Sequence, residues 1–487
     1  MEGVKINQKR IEKKNIVYFG QEKSEEFRSS MVSFIFFNLS KYKSILSSIF
    51  ILVYFLVWFY VRKIIIVLYV FSIIIFFVYL FFLIKKLKSN NNISSLKQNE
   101  IKRNDIPCDF SILICAHNEE DVIENTLRKI TELEGNFEIV IVDDRSEDKT
   151  GKIVDDFVFT YKKESHSGKK IKILHRAPGS KPGKSASLND GIKLCVGDYV
   201  IMLDADSYFA EKDALLKISN FISEFKPDAI QLRKVSSNPN YNLISYLSYL
   251  ELCLDSFMQK SRNAFGGAVE LRGTGMIIKR DVLKEVHGFD EESITDDLEM
   301  SSRLFFNGKK IVFLEEPFVY EQTVFDILSW WRQRFRWLEG SLRRYIKYSA
   351  LILRRAILNR PSNFLKEISF ESTKSNIDFF LFFISEFLIP FFAILSIFEE
   401  LGLLIFGKGD ILVFLVIILS YPALIFPVSM YFLKDYFNMS FIRRILLSLF
   451  FSCYMLTWMF IMFFVFKRVL FDNKPSIWVS PKRLGGV

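Results

Sequence analysis

Cysteine and histidine are scarce in this chain of 487 residues, which contains five cysteines and four histidines. No two cysteines form a Cys-x-x-Cys pair, and the histidines show no spacing typical of metal ligands, so neither a disulfide framework nor a zinc site is expected. The same cysteine usage fits a reducing compartment. The residues concerned are Cys108, Cys115, Cys195, Cys253 and Cys453, with His117, His166, His175 and His287.

Three familiar sequence signals are also missing. The first long apolar block begins only near residue 45, behind a polar and basic segment, so we expect no cleavable signal peptide. The net charge is +10, but no nucleic-acid-binding motif accompanies it, and we expect no nucleic-acid partner. Residues 181–184 form a lysine-bearing loop with a glycine that suits phosphate binding, but the spacing of a Walker A loop is absent.

Hydrophobic residues, in contrast, make up 50% of the chain, and 52 residues are phenylalanine. They are concentrated in blocks long enough to span or nearly span a bilayer. Lysine-rich segments flank the first two blocks, which predicts a helical hairpin with both ends on the cytosolic side. We therefore attribute the basicity to membrane orientation. The blocks are 45–61, 64–84, 377–398, 411–433 and 445–466.

The number of blocks creates a problem for the last part of the chain. Three full spans after a cytosolic region would place the C-terminal tail outside the cell, although the tail carries a motif that we expect inside. Either one block is re-entrant or interfacial, or a crossing has been overlooked. Pro390, Pro422 and Pro427 are compatible with broken helices in this region.

Between residues 108 and 325, short apolar runs alternate with polar helical stretches. Strands are predicted at 110–116, 137–142, 170–175 and 199–203, and helices follow the first two. This β-α-β order predicts a mostly parallel sheet with helices on both faces. Ligands of such sheets bind at the carboxyl ends of the strands.

Two pairs of aspartates lie at predicted strand ends. Asp143 and Asp144 could accept hydrogen bonds from a nucleotide base and a ribose, or could simply cap a strand-to-helix turn. Asp204 and Asp206 could share one Mg²⁺ or Mn²⁺ that bridges a diphosphate, or could form a solvated acidic turn. Each pair alone leaves both interpretations open.

A third pair precedes a predicted helix at 298–306. Ser293 and Asp296 could form a capping box at its N-terminus, which is one interpretation of the pair. The other makes Asp297 a general base that deprotonates an attacking hydroxyl.

An aromatic and basic segment at 327–348 predicts an amphipathic helix at the membrane surface. Gln333, Arg336 and Trp337 share one face of it, because they are spaced i, i+3 and i+4. Arg336 could hold a diphosphate and Trp337 could stack on a sugar ring, or both could serve as interface anchors.

Taken in order, these motifs resemble the membrane glycosyltransferases of family 2, which include cellulose, chitin and poly-N-acetylglucosamine synthases and their glycolipid-making relatives. The resemblance covers about residues 108–341. It implies a GT-A fold, a UDP-sugar donor, Mg²⁺ or Mn²⁺, and inverting hexosyl transfer. It rests on Ser111–Glu120 (SILICAHNEE), Asp143-Asp144, Lys184, Asp204-x-Asp206, Thr295-Asp-Asp297 and Gln333-x-x-Arg-Trp337.

The resemblance also implies a role for each aspartate. Asp143 and Asp144 would hold the uracil and ribose. Asp204 and Asp206 would serve the donor phosphates and the metal ion, and Asp297 would be the catalytic base.

The remaining implied roles concern the donor and acceptor pocket. Lys184 would bind the donor, Gly273 and Thr274 would line the acceptor site, and the tail segment 478–483 would close over the diphosphate. Gln333, Arg336 and Trp337 would complete the pocket, with Trp337 also on the acceptor side.

The sequence departs from the family pattern at several points. The usual Thr-Glu-Asp is Thr-Asp-Asp here, which retains Asp297, and the usual proline of the first strand motif is Cys115. No cyclic-di-GMP-binding domain follows the apolar blocks, and the Gly-Asp-Asp form of hyaluronan synthases is absent.

The acceptor stays open between two alternatives. We expect first a growing β-linked polysaccharide, and as the alternative a membrane lipid such as diacylglycerol that receives one sugar. A non-catalytic channel or anchor is a third, weaker hypothesis.

The expected organisation is an integral protein of the cell membrane whose α/β GT-A catalytic domain is cytosolic and inserted between transmembrane helices. The predicted segments are a basic N-terminus (1–44), a transmembrane hairpin (45–84), a linker (85–107), the catalytic domain (108–325), interfacial helices (326–376), transmembrane or re-entrant helices (377–466) and a basic tail (467–487).

Overall fold

The structure is a computed structural model that describes residues 67–85 except 68 and 72, 109–164, 169–358, 370–472 and 482–485. The predicted N-terminus, the first apolar block and nearly all of the predicted linker lie outside the described residues.

Eight strands form one sheet in the order β3-β2-β1-β4-β7-β6-β8-β5. From β3 to β4 the strands are parallel, as predicted. Beyond β4 the sheet is mixed, because β7 runs antiparallel to both of its neighbours. The strands are β1 (Phe110–Ala116), β2 (Phe137–Asp143), β3 (Lys170–His175), β4 (Tyr199–Asp204), β5 (Tyr208–Phe209), β6 (Ala229–Ser236), β7 (Met276–Lys279) and β8 (Ile311–Glu321).

The two faces of the sheet belong to two separate hydrophobic cores. In β1, Ile112 and Ile114 enter one core and Leu113 enters the other, because successive side chains of a strand point to opposite faces. Strand β2 is buried at every position, which explains its nearly continuous apolar sequence.

The helices are numbered here in chain order. They are α1 (Tyr69–Lys85), α2 (Ile123–Thr131), α3 (Thr150–Glu164), α4 (Lys184–Ile192), α5 (Ala214–Phe225), α6 (Leu243–Phe265), α7 (Arg280–Glu285), α8 (Asp296–Phe306), α9 (Ile327–Leu358), α10 (Phe370–Phe383), α11 (Ile389–Ile405), α12 (Ile411–Tyr436), α13 (Phe441–Tyr454) and α14 (Leu456–Phe471). Helix α9 begins at the predicted residue and extends ten residues beyond the predicted end at residue 348.

Within the described part of the chain, three helical units after the sheet domain are long and apolar enough to cross a membrane: Ile377–Ile405, Ile411–Tyr436 and Phe441–Phe471. They coincide with the last three predicted blocks. The first is interrupted by a π-helical turn at Ile384–Leu388. The third is divided at Met455 into α13 and α14.

The prolines account for only one of these interruptions. Pro390 lies in the first turn of α11, directly after the π-helical turn. Pro422 and Pro427 lie inside α12, which continues through both. The break at Met455 has no proline beside it.

The last helical unit returns to the sheet domain at several points. Tyr454 and Trp458 donate hydrogen bonds to Glu251 in α6, at 2.6 and 2.7 Å. Near its end, the Arg468 guanidinium lies 3.6 Å from the Glu339 carboxylate in α9. The middle of this unit therefore lies against α6 of the sheet domain, and its end lies against α9.

Candidate active site

One cavity of about 410 Å³ lies at the carboxyl ends of β1 and β4, between the sheet domain and the apolar helices. Most of the residues that the sequence singles out line it. They are Asp144, Lys184, Asp204, Asp206, Gly273, Thr274, Asp297, Gln333, Arg336 and Trp337. The motifs therefore converge on one site.

Asp143 lies beside this site and is not part of the cavity wall. Its carboxylate accepts a hydrogen bond from the Ser146 backbone N–H at 3.2 Å and pairs with His175 Nδ1 at 2.9 Å. A Cβ atom at Gly151 would come within 2.7 Å of the same carboxylate. These contacts match the turn-capping alternative, and a nucleoside role for Asp143 stays a prediction.

Asp144, in contrast, faces the cavity and holds the lysine loop. It accepts hydrogen bonds from Arg176 at 2.6 Å, from Arg145 at 2.9 Å and from the Gly183 backbone N–H at 3.2 Å. Burial alone would raise the pKa of Asp144, but the hydrogen bonds from Arg145 and Arg176 hold it below its ordinary value. Asp144 is therefore an anion at neutral pH.

Asp204 ends β4 and pairs with Lys184, whose Nζ lies 2.5 Å from its Oδ1. Burial would lower the pKa of Lys184, but Asp204 and Asp296 raise it above its ordinary value. Burial would likewise raise the pKa of Asp204, and Lys184 keeps it low. Both groups are thus charged. Asp204 also lines the cavity, beside Lys184.

Asp206 is paired with the C-terminal tail. Arg483 Nη1 lies 2.5 Å from the Asp206 carboxylate, and Arg483 Nε donates to Glu119 at 2.9 Å. Burial raises the pKa of Glu119 to about 7 even though Arg483 opposes the shift. Two hydrogen bonds between Gln322 and Leu484, at 2.8 and 2.9 Å, fix the tail at the cavity.

The donor set at the end of β4 fits a divalent cation. Asp204 and Asp206 would supply two hard carboxylate ligands on the cavity wall if a cation took the place of their present partners, Lys184 and Arg483. Within the described ranges there is no group of three or more histidine, cysteine or acidic residues that could hold a metal ion. Magnesium is commonly held by one or two carboxylates together with substrate phosphates and water, so a third protein ligand is not required.

The loop at Gly273 and Thr274 lies between Asp204 and Asp297. Thr274 Oγ1 accepts a hydrogen bond from the Asp204 backbone N–H at 3.1 Å. Gly273 has a φ of +82°, and a Cβ atom there would lie 3.6 Å from Asp297 Oδ2. The buried Gln231 side chain donates to the Thr274 carbonyl oxygen at 3.0 Å. The loop is therefore held close to the backbone of Asp204 and to the carboxylate of Asp297.

Asp297 lies in the first turn of α8 and accepts a hydrogen bond from the Leu298 backbone N–H at 2.8 Å. Burial, with the neighbouring Asp296, raises the pKa of Asp297 to about 6. A carboxylate with a pKa near neutrality is well suited to accept a proton.

The capping box predicted at Ser293 and Asp296 is wrong. The N-cap residue of α8 is Thr295, and its side chain makes no capping hydrogen bond. Ser293 Oγ instead donates to the Thr295 carbonyl oxygen at 2.9 Å. The helix therefore starts two residues later than a Ser293 cap requires, which leaves both aspartates in its first turn.

Helix α9 presents Gln333, Arg336 and Trp337 to the cavity. Arg336 makes no hydrogen bond or ion pair with any residue that the structure describes. The negative charges of Asp296, Asp297 and Asp204 favour the charged form of its guanidinium. It is thus a cation facing the cavity. Such a group can bind phosphate oxygens.

Glu251 in α6 was missed by the sequence analysis. It receives hydrogen bonds from Tyr454, from Trp458 and, at 3.0 Å, from Arg334 in α9. Arg334 in turn donates to the Gln333 side-chain oxygen at 2.7 Å. One carboxylate thus holds the Gln333 helix against the last apolar helix. A lone glutamate in a long helix has no motif by which it could be found.

Gly340 allows α9 to approach the Thr295 loop. A Cβ atom at residue 340 would lie 2.3 Å from Thr295 Cγ2 and 2.5 Å from Thr295 Oγ1. Thr295 is only 2% exposed, so it has little room to move. We expect Gly340→Ala to displace the neighbouring Asp297 and to lower kcat by about 10- to 100-fold, as measured in a transfer assay on purified protein.

The control for Gly340→Ala is Thr295→Ser in the same background, which removes the nearest methyl group. It should recover part of kcat. Full activity of the single Gly340→Ala variant would contradict the packing argument.

The opposite wall of the cavity is largely apolar and comes from the membrane-type helices. It includes residues of α1, α12 and the last helical unit, and Glu386 from the π-helical turn is also part of it. The apolar residues are Phe76, Pro390, Tyr421, Ile425, Val428, Met455, Trp458 and Met462. The cavity is therefore continuous from the carboxylates to the side chains of the apolar helices.

Residues 107–340 match the family model described as glycosyltransferase like family 2. A β-monoglucosyldiacylglycerol synthase of Trichormus variabilis is 36% identical over 255 residues, which are 52% of this chain and 53% of that protein. A poly-β-1,6-N-acetyl-D-glucosamine synthase of Staphylococcus epidermidis is 27% identical over 238 residues, 47% of this chain and 54% of that protein. The matches thus span about half the length of these curated relatives.

Among solved structures, a mannosyltransferase from Pyrobaculum calidifontis in complex with GDP-Man and Mn²⁺ superposes with a TM-score of 0.51 at 15% identity. The match covers 80% of this chain and 99% of that one. It confirms the expected GT-A fold.

Proposed function

We propose that this chain, whose residues 107–340 match the family model described as glycosyltransferase like family 2, transfers a hexose from a UDP-sugar to the hydroxyl of a membrane lipid such as diacylglycerol. The observation that carries the proposal is the continuous cavity, in which Asp204 and Asp297 share one wall with Arg336 while the opposite wall is formed by apolar helices. A water-soluble donor and a membrane-embedded acceptor could both reach such a site.

The donor end of the cavity has the charges that a nucleoside diphosphate requires. Asp144 would accept hydrogen bonds from the nucleoside, and Arg336 and Lys184 would face the phosphates. Arg336 lines the cavity and forms no ion pair with a described residue, so binding a phosphate would break no existing pair. Cationic groups positioned at the leaving diphosphate stabilise the charge that develops there.

Asp297 would act as the base. As the acceptor oxygen attacks the anomeric carbon, the acceptor proton passes to Asp297, the bond from the anomeric carbon to the diphosphate oxygen breaks, and UDP leaves. Attack opposite to the leaving group inverts the configuration in one displacement. A pKa near 6 leaves Asp297 mostly ionised at neutral pH.

A divalent cation held by Asp204 and Asp206 would supply charge neutralisation for the leaving diphosphate. We expect Asp206→Asn, or EDTA, to weaken UDP-sugar binding and to lower transfer by on the order of 100-fold, because such a cation supplies several kcal/mol. Binding is measured by calorimetry and transfer with a labelled donor.

The matched control is Asp198→Asn, which removes a carboxylate just before the other end of β4. It should leave both readouts unchanged. Undiminished activity in EDTA would remove the metal ion from the proposal.

The choice of a lipid acceptor over a polysaccharide rests on two observations. The identity to the Trichormus variabilis lipid glucosyltransferase is 36%, against 27% for the poly-N-acetylglucosamine synthase. The apolar wall of the cavity also suits acyl chains. A growing β-linked polysaccharide is therefore the second candidate, supported by the cavity-facing Trp337 and by the weaker relative.

For the membrane arrangement, we propose that the sheet domain is cytosolic in the cell membrane and that the Phe441–Phe471 unit is re-entrant or interfacial. Tyr454 and Trp458 contact α6 of the sheet domain, and Arg468 contacts α9, which follows that domain directly. Arg483 beyond them lies against Asp206. A helix that simply crossed the bilayer would carry its end away from this domain.

The test is a donor and acceptor screen with purified protein in mixed micelles. Labelled UDP-sugars are offered with diacylglycerol, and products are extracted into chloroform and sized. A chloroform-soluble monoglycosyl lipid is expected. A polymer that stays in the aqueous phase, with no lipid product, would favour the second candidate instead.

A further inference from the structure

The π-helical turn Ile384–Leu388 places a carboxylate on the membrane-side wall of the cavity. Glu386 and Ser385 both line the space that Asp297 and Trp337 line from the other side. Most π-helical turns occur as single turns inside α-helices, frequently at functional sites. The π-helical turn therefore makes Glu386 a candidate for a functional residue.

The charged groups around Glu386 are already matched with one another. Arg262 pairs with Asp378 at 2.9 Å. Arg272 pairs with Glu270 at 2.8 Å and with Asp255 at 3.2 Å. Both arginines are therefore already paired with carboxylates other than Glu386.

The third arginine is matched as well. Arg344 pairs with Glu270 at 2.7 Å. Glu386 forms no ion pair within the described part of the chain. Its hydrogen-bonding contacts there are the long ones to Ser341 Oγ, at 3.4 and 3.5 Å. Glu386 is therefore a carboxylate on the cavity wall with capacity to accept further hydrogen bonds.

We expect a carboxylate in this position to accept hydrogen bonds from hydroxyl groups of the acceptor, because a buried polar group is unfavourable without hydrogen bonds. Diacylglycerol has a single hydroxyl, and that hydroxyl must face Asp297 for the reaction. Its ester oxygens only accept. An acceptor that also satisfies Glu386 must carry at least one more hydroxyl.

Resting on the proposed function, we infer that Glu386 binds a second hydroxyl of the acceptor and that the site accepts a monoglycosylated glycerolipid, to which it adds a further hexose. In that reaction one sugar hydroxyl of the lipid loses its proton to Asp297 and forms the new glycosidic bond. The bond from the donor's anomeric carbon to the diphosphate breaks, and UDP leaves with the bonding electrons. Another hydroxyl of the same lipid sugar donates to Glu386.

The experiment compares two acceptors with the full chain in detergent micelles: dioleoylglycerol and monoglucosyl dioleoylglycerol. Glu386→Gln removes the charge at nearly constant shape. Since hydrogen bonds to charged groups are worth about tenfold to a hundredfold in affinity, kcat/KM for the glycosylated lipid should fall by about 10-fold or more. The kcat/KM for dioleoylglycerol should change less than about twofold. The ratio of the two kcat/KM values therefore shows whether Glu386 binds the sugar of the acceptor.

Two further variants complete the test. Glu399→Gln changes another buried carboxylate of the same helical unit, outside the cavity wall, and should alter neither acceptor. Glu386→Asp keeps the charge with a shorter reach, and is used where Glu386→Gln does not accumulate. It should give a smaller loss, again confined to the glycosylated lipid.

The outcomes separate the inference from the proposed function. Equal losses for both acceptors, or none, would overturn the role of Glu386. A wild-type protein that glycosylates dioleoylglycerol but not the glycosylated lipid would also overturn it, while the proposed function stands. Transfer to the glycosylated lipid alone would support the inference and contradict diacylglycerol as the acceptor. Transfer to neither lipid would refute both.

Discussion

Replacing Asp297 with asparagine should lower the turnover of hexose transfer by ~10²- to 10⁴-fold, the contribution typical of a positioned general base. Asparagine keeps the shape of the side chain and can still accept the hydrogen bond from Leu298. It cannot take up the acceptor proton. The measurement is single-turnover transfer with saturating UDP-sugar, together with the donor Kd from calorimetry, which should change little.

The pH dependence of the wild-type protein follows from the same group. Burial beside Asp296 raises the pKa of Asp297 to about 6, and the base works only when deprotonated. Below pH 6 most molecules carry a protonated Asp297, so kcat/KM should fall as the pH decreases through about 6. It should level off above that value. An acid limb near pH 4 would indicate a solvent-exposed carboxylate as the base.

The control for Asp297→Asn is Asp281→Asn, a change of charge at an exposed residue of α7 that pairs with Lys284 at 3.6 Å. Activity should be unaffected there. If the Asp297 variant turned over at the wild-type rate with donor binding intact, another group would have to be the base.

The sheet that carries these residues was largely predictable up to β4. Strands β1, β2 and β4 are buried at nearly every position, so each appears as a short apolar run ending in polar residues. The edge strand β3 is only partly buried. The predicted bounds of β1 and β3 agree with the structure. Strand β7, four residues long and antiparallel, was not predicted, because a short apolar run has no detectable periodicity.

The convergence of the motifs was predictable for a similar reason. Asp144 follows β2 and Asp204 ends β4. These parallel strands flank β1, and their carboxyl ends lie at the same edge of the sheet. The partners of these residues were not predictable. Arg483 reaches Asp206 from the far end of the chain, and Glu251 joins three helices that are distant in sequence. Such contacts depend on the tertiary fold, and no local pattern encodes them.

The junction between the sheet domain and the apolar helices should be the most sensitive point for stability. Asp378, at the start of the first long apolar unit, is fully buried. It accepts hydrogen bonds from Arg262 Nε at 2.9 Å, from the Ala268 backbone N–H at 2.8 Å and from the Tyr79 hydroxyl at 2.5 Å. One carboxylate therefore joins α6, the following loop, α1 and α10.

Asp378→Ala should destabilise the protein by about 3–5 kcal/mol, because it leaves the fully buried Arg262 without its closest partner. The remaining pair of Arg262, with Glu270, is longer at 3.3 Å. The temperature at which detergent-solubilised protein loses half of its activity should fall by on the order of 10 °C.

Tyr79→Phe provides the matched comparison for this site, because it removes one hydrogen bond to the same carboxylate and leaves the ion pair in place. Its cost should be about 1 kcal/mol, the usual net value of one hydrogen bond. A larger effect of Tyr79→Phe than of Asp378→Ala would mean that the packing of α1, and not the buried charge, holds the junction together. Equal and small effects would mean that water reaches Arg262 and replaces the carboxylate.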